Sequence, residues 1–218
     1  MKLVCISASN ILHQRPENST SYKICKIMQG AMNGKLDRVE DVIIELKDKT
    51  ILPCTGCGRC FESHRCIQND DFNSIYIEII KADMIIIVSP HYAPIPAKLA
   101  ALLEKMEQIT FLPWVRDNSY KSQVFGKPVG IISHGGGGDW ALKSYKRMVN
   151  DTIANALDTI QLKTVGFSDE WPTGISLPVK RVKFCDDNIF PIQEYDWDFI
   201  AKEIFAYADR MVTMHNQS

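Results

Sequence analysis

The chain is short of several things, and each shortage removes a class of function. Excess charge of one sign is missing. Its 218 residues carry 25 Lys and Arg against 26 Asp and Glu, a formal net charge of −1, so no electrostatic footprint exists for wrapping nucleic acid or adhering to an anionic membrane. Long apolar runs are missing too. The longest uninterrupted one, Met84 to Val88, is far below the roughly 20 residues a bilayer-spanning helix needs. The Met-Lys-Leu-Val start has no signal-peptide hydrophobic stretch, so a cytoplasmic location is expected. There is no internal repeat, low-complexity tract or linker. At 45% apolar and 23% charged residues, neither disorder nor a fibrous repeat fits, and the length suits a single domain with a sizeable core. Two nucleotide signatures are absent as well: there is no GxGxxG, and Gly30 to Lys35 misses the P-loop spacing by one residue.

What is present alternates between short buried-strand runs and longer helical patterns. Leu3 to Ile6 reads as a strand and Thr20 to about Asn33 as an amphipathic helix. Val39 to Leu46 forms a second strand, and Asp70-Asp71 open a helix with Phe72, Ile75, Tyr76, Ile79 and Ile80 on one face. Met84 to Val88 suits the centre of a parallel sheet covered on both faces. Pro96 can start a helix from about Ala97 to Gln108, Phe111 to Lys127 reads as a surface excursion, and Val129 to Ser133 is the fourth strand. Asp139 can cap a helix to about Leu157, and Leu162 to Phe167 is the fifth strand. Ser168 to Pro191 is irregular apart from a strand or hairpin near Val179 to Phe184, and a helix from about Tyr195 to Met214 follows. Five strands alternating with helices predict an α/β doubly wound parallel sheet with helices on both faces. Ligands of such sheets bind at the carboxyl ends of the strands. The informative loops therefore follow strands one, three and four.

The first loop runs from Ser7, Ala8, Ser9 and Asn10 to Asn18, Ser19, Thr20 and Ser21, placing hydroxyl and amide groups before a helix N-terminus. Unpaired N–H groups and the helix dipole favour an anion there, with Arg15 able to add charge; alternatively Ser19 or Thr20 only caps the helix. The second loop, Ser89 to Pro96, has three prolines in seven residues (Pro90, Pro94 and Pro96), so it is stiff enough to hold its backbone against a planar ligand that Tyr92 can border. The third, His134 through Gly135, Gly136, Gly137 and Gly138 to Trp140, spends backbone entropy on four glycines. Such a run lets a ligand approach the main chain, or simply makes a mobile loop.

These three loops resemble those of the flavodoxin-like NAD(P)H-dependent FMN reductases, over most of the first 170 residues. The resemblance implies FMN, with its phosphate on Ser9, Arg15, Asn18, Ser19 and Thr20. It places the isoalloxazine against Pro90, His91, Tyr92, Ala93 and Ile95 and against His134, Gly135, Gly136 and Gly137. The most specific match is the Pro-x-Tyr segment followed by a small-residue helix. This chain departs from the family in its longer first loop, and Glu104-Lys105 stands where an Asp-Arg pair often ends the third helix.

Seven cysteines remain to be explained. Cys5, Cys25 and Cys185 sit singly among apolar residues and read as small buried hydrophobes. Cys54, Cys57, Cys60 and Cys66 form a CxxCxxC run followed by five residues and a fourth cysteine, an all-sulfur set on one short loop inserted after strand two. Soft thiolates suit an iron-sulfur cluster or structural zinc, and the spacing is like the start of a bacterial ferredoxin run, which ranks a [4Fe–4S] cluster above zinc, redox thiols or free cysteines. Within the flavodoxin-like family the motif is similar to that of the iron-sulfur flavoproteins of anaerobes. His64 reads as a solvated loop residue rather than a ligand, and Trp114 and Trp140 as buried aromatics that can shape the pocket.

The expected function is an FMN-dependent oxidoreductase or electron carrier working between a small-molecule or redox-protein donor and acceptor, with NAD(P)H as one donor. The resemblance further implies a homodimer or homotetramer, with electrons crossing between subunits. A plain FMN or quinone reductase without a cluster, and a non-enzymatic carrier stapled by zinc, are the alternatives. No dedicated catalytic acid or base is expected.

Overall fold

The computed structural model describes residues 1–10, 19–184 and 191–217. The first half alternates strand and helix: β1 (Lys2–Ser7), α1 (Thr20–Asn33), β2 (Glu40–Glu45), a 3-10 turn at Leu46–Asp48, α2 (Cys60–Ser63), α3 (Phe72–Lys81), β3 (Met84–Pro90) and α4 (Ala97–Arg116). The second half comprises β4 (Pro128–His134), α5 (Leu142–Tyr145), α6 (Asp151–Thr159), β5 (Lys163–Val165), β6 (Ile175–Leu177), β7 (Arg181–Lys183), β8 (Ile192–Glu194) and α7 (Trp197–Asn216). The main sheet runs β2-β1-β3-β4-β5, all parallel. That is the flavodoxin-like order, whose switch point lies between β1 and β3.

Every residue of β3 and β4 is buried, as expected of central parallel strands roofed on both faces. One face packs Val4, Ile6, Ile85 and Ile87 under α3, α4 and α6. The other packs Leu3, Cys5, Ile86 and Val88 under α1 and α7. Tyr207 of α7 is fully buried, and its hydroxyl lies 2.5 Å from the Val165 carbonyl oxygen while accepting from the Ile131 N–H at 3.1 Å. Its polar end is satisfied, so the ring can serve the core without leaving an orphaned hydroxyl. Among the described residues no helix is long and apolar enough to cross a membrane.

Four expectations need correction. The fifth strand is shorter than Leu162 to Phe167, and its place is shared: β5 pairs Pro128 to Gly130 of β4, while β6 pairs Ile132 to His134. The sheet therefore has six strands, the sixth drawn from the tract read as irregular. Helix α4 continues through Pro113 to Arg116, with Ile109 and Thr110 buried just before it, although Pro113 has no N–H to donate and so removes one backbone hydrogen bond from the last turns. Asp139 caps nothing: Gly138 takes the N-cap position of a 3-10 turn, Asp139–Ala141. A π turn, Lys146–Asn150, then separates α5 from α6, with Val149 and Asn150 turned into the core. The hairpin near Val179 to Phe184 exists as β7 paired antiparallel with β8.

Candidate functional site

Because the sheet is parallel, the loops after β1, β3 and β4 leave from one rim. Hydrogen bonds tie them together there. The Ala8 N–H donates to the Val88 carbonyl and the His91 N–H to the His134 carbonyl, both at 2.9 Å. Ser19 caps α1 by accepting from the Tyr22 N–H at 3.4 Å, and it is buried, as is Ser9. Thr20 opens the helix. Arg15 and Asn18 lie outside the described residues. On the second loop Pro90 is buried, His91 and Ile95 are half-buried, and Tyr92 and Ala93 are exposed. On the third, His134 and Gly137 are buried, Gly135 half-buried and Gly136 exposed.

The centre of the rim is a chain of polar side chains. His134 Nε2 lies 2.7 Å from Ser21 Oγ, and His134 Nδ1 lies 3.5 Å from Tyr195 Oη. Tyr195 Oη is in turn 3.2 Å from the Gly135 carbonyl and 3.0 Å from Gln193 Oε1. One proton arrangement satisfies the series: Ser21 donates to Nε2, Nδ1–H donates to Tyr195, and Tyr195 donates onward to Gly135. Burial drops the His134 pKa to about 4, so the ring is neutral near pH 7. Burial also pushes the Tyr195 phenol well up, while the Thr20 side chain, which hydrogen-bonds it, draws it back in part. The anchor helix and the glycine loop are thus joined through one tyrosine.

Tyr195, Gln193 and Tyr145 were not legible as site residues in the sequence. Their signal is tertiary. A Cβ on Gly135 would meet the Tyr145 ring at 2.6 Å, and one on Gly137 would meet Ala141 Cβ at 2.4 Å and Tyr145 Oη at 2.8 Å. The Gly137 N–H donates to Tyr145 Oη at 2.7 Å. Close approach is indeed what these glycines permit, and the approaching group is a tyrosine of the same chain. The β7-β8 hairpin adds cover, with the Val179 N–H bonding the Gly137 carbonyl at 3.0 Å.

Does this rim suit FMN? Ser7 Oγ and His91 Nε2 are buried there with no hydrogen-bond partner among the described residues, and such groups ordinarily find one. With Ser9, Ser19 and Thr20 at the start of α1, they offer the donors a phosphate and a polar ring edge need. The fit is good. Trp140 is 85% exposed beside the glycine loop, and Trp114 is exposed at the end of α4, so neither is the buried aromatic expected.

The four cysteines Cys54, Cys57, Cys60 and Cys66 all line one cavity open to solvent, together with Lys105 and Ile109 of α4. Gly56 and Gly58 take left-handed backbone angles (φ +64° and +71°) that a side chain would strain, and these turns fold the loop back on itself. The Gly56 N–H donates to Cys54 Sγ at 3.4 Å. The Arg59 N–H lowers the pKa of Cys57, whereas burial raises that of Cys60. Cys54 N–H donates to Glu104 Oε2 at 3.0 Å, and Cys66 N–H to Asn73 Oδ1 at 3.0 Å, so helices α3 and α4 fix both ends of the loop. His64 stacks on Tyr120, away from the cavity. Among the described residues no group of three ligating side chains is poised for a single metal ion. Four soft donors around one space, with amide donors turned to sulfur, fit a multinuclear sulfur-bound centre. The cavity meets α4 eight to twelve residues past Ala97, roughly 12 to 18 Å along the helix from its start at the rim.

Comparison with known proteins follows this geometry. An iron-sulfur flavoprotein from Methanocaldococcus jannaschii is 33% identical over 107 residues, 48% of this chain and 51% of that protein. One from Methanosarcina thermophila is 32% identical over 82 residues, 37% of this chain and 43% of that protein. The matches span about half or less of the length of these curated relatives. Among solved structures, an oxidoreductase from Corynebacterium diphtheriae superposes with a TM-score of 0.60 at 12% identity, covering 100% of this chain and 97% of that one. An NADH:FMN oxidoreductase in its apo form gives 0.56 at 15% identity, covering 99% and 89%. At such identities the likeness concerns the fold. Residues 1–169, which contain all three rim loops and the cysteine loop, match the model of the NADPH-dependent FMN reductase family, and the chain belongs to that family.

Proposed function

We propose that this protein is an FMN-dependent oxidoreductase of the iron-sulfur flavoprotein kind, with FMN at the carboxyl rim and a [4Fe–4S] cluster on Cys54, Cys57, Cys60 and Cys66. The observation that carries the reading is four thiols around one cavity in a chain of the FMN reductase family. When bound, FMN supplies interconversion of hydride and single-electron transfers, and the cluster supplies one-electron storage.

The chain's own residues bind and orient. Ser9, Ser19 and Thr20, with Arg15 and Asn18, receive the phosphate. The proline-rich segment around Pro90 to Ile95 presents a stiff edge to the ring, and Tyr92 borders it. His134 stays neutral near pH 7 and holds a hydrogen-bond direction without adding charge to the rim. NAD(P)H, as donor, would be received at the rim, where Tyr92 and Trp140 offer exposed aromatic side chains. The separation along α4 between rim and cavity favours electron exchange with the rim of a second subunit, hence a homodimer or homotetramer.

Anaerobic purification after reconstitution with FMN, iron and sulfide tests the reading. Flavin bands, a broad iron-sulfur absorbance and about four iron per chain are expected. Bound zinc without iron would favour a structural staple, and rapid NAD(P)H oxidation with flavin but no metal would favour a plain reductase. Colourless protein that takes up no FMN overturns the whole assignment.

A further inference from the structure

The cysteine cavity contains a charge whose purpose the fold does not require. Lys105, in the middle of α4, has a side chain only 2% exposed and pairs with Asp70, whose side chain is fully buried. A buried ion pair is weak support for stability, because desolvation offsets most of the attraction and an apolar pair of similar size serves as well. Its placement is informative. Lys105 lines the cysteine cavity and Asp70 does not, so the lysine is the member of the pair that borders the thiols. No other charged side chain of a basic or acidic residue lines that cavity among the described residues. The ammonium has three N–H donors and Asp70 engages it from one side, which leaves donors for a group in the cavity.

Asp70 is itself held firmly. Its Oδ2 accepts from the Leu52 N–H at 2.9 Å and its Oδ1 from the Phe72 N–H at 3.1 Å. Burial alone would raise its pKa, but Lys105 and these two amides together bring it below the usual carboxylate range. The carboxylate stays ionised and keeps the ammonium in place. The Phe72 ring, 5.4 Å from Lys105 Nζ, packs beside the ammonium.

We propose that Lys105 is a positioning residue of the cysteine site, whose ammonium, fixed by Asp70, stabilises the extra negative charge of the reduced cluster and so raises its reduction potential. This rests on the iron-sulfur reading above. One electron added to a thiolate-bound cluster adds one negative charge, and a buried cation beside it acts through a medium that screens far less than water.

The test is a mediated, anaerobic dithionite titration of reconstituted protein, comparing the parent chain, Lys105→Arg and the double variant Asp70→Asn with Lys105→Met. The double variant removes both charges together, which avoids stranding a buried carboxylate. Iron content and circular dichroism are read on each. The expected result is full iron in all three, a midpoint near the parent's for Lys105→Arg, and a clearly more negative midpoint for the double variant. Equal midpoints with equal iron overturn the proposal while leaving the cluster intact. Failure of the double variant to fold where Lys105→Arg folds also overturns it, assigning the pair a structural role. A parent chain that takes up no iron fails the iron-sulfur reading itself.

Discussion

Removing the Tyr195 hydroxyl tests whether the carboxyl-terminal segment, beyond the region matched to the family, is part of the flavin site. In Tyr195→Phe the ring still packs on Trp197, 5.4 Å away between centroids, so the change is confined to one oxygen. The Gly135 carbonyl and Gln193 are exposed enough to turn to water, but His134 is 94% buried and its Nδ1 loses the partner 3.5 Å away. A stranded buried donor costs about 1 to 3 kcal/mol. For a chain of this size that lowers the melting temperature by roughly 2 to 4 °C per kcal/mol. Thr20 loses a partner too, and the anchor helix and glycine loop are no longer joined. Ordering them then falls to FMN, and about 1.4 kcal/mol of that cost weakens binding roughly tenfold. Melting curves and flavin-fluorescence titration of the FMN-free protein measure both effects. A lowered melting temperature with unchanged FMN affinity would refute the coupling between hairpin and site, and no change in either would refute the hydrogen-bond chain.

The phosphate anchor predicts that Ser9→Ala with Thr20→Ala loses FMN on gel filtration while melting within a few degrees of the parent, since each lost bond to a charged group is worth about 1.5 to 3 kcal/mol of binding; retained flavin would contradict it. His134, at about 4 against 6.5 unfolded, binds its proton more readily in the unfolded chain. Its share of stability is therefore present above pH 6.5 and is lost as the pH falls toward 4. Urea unfolding of FMN-free protein should show about 2 kcal/mol less stability from this group at pH 5 than at pH 7, and His134→Gln should flatten that dependence. Gly137→Ala places a methyl against Ala141 and Tyr145 and should destabilise by about 1 to 3 kcal/mol; a fully stable, FMN-binding variant would mean the glycine loop is free to move.

The sequence by itself determined the layered fold and the kind of chemistry. A short, β-branched apolar run such as Met84 to Val88, bounded by Asp83 and Ser89-Pro90, marks a central parallel strand, and the helical periodicity between such runs sets the crossovers, because both are local patterns that each segment carries alone. The CxxCxxC spacing likewise announced soft-metal chemistry, since neighbouring thiols share a loop whatever surrounds it. What only the tertiary structure decided is who meets whom at the rim. Tyr195 reaches His134 from 61 positions away in the sequence, Tyr145 explains the close approach at Gly135 and Gly137, β6 completes the sheet edge from a tract without strand pattern, and Asp70 finds Lys105. Each depends on side chains far apart in sequence being brought together by packing, and a contact of that sort leaves no periodicity behind for the sequence to display.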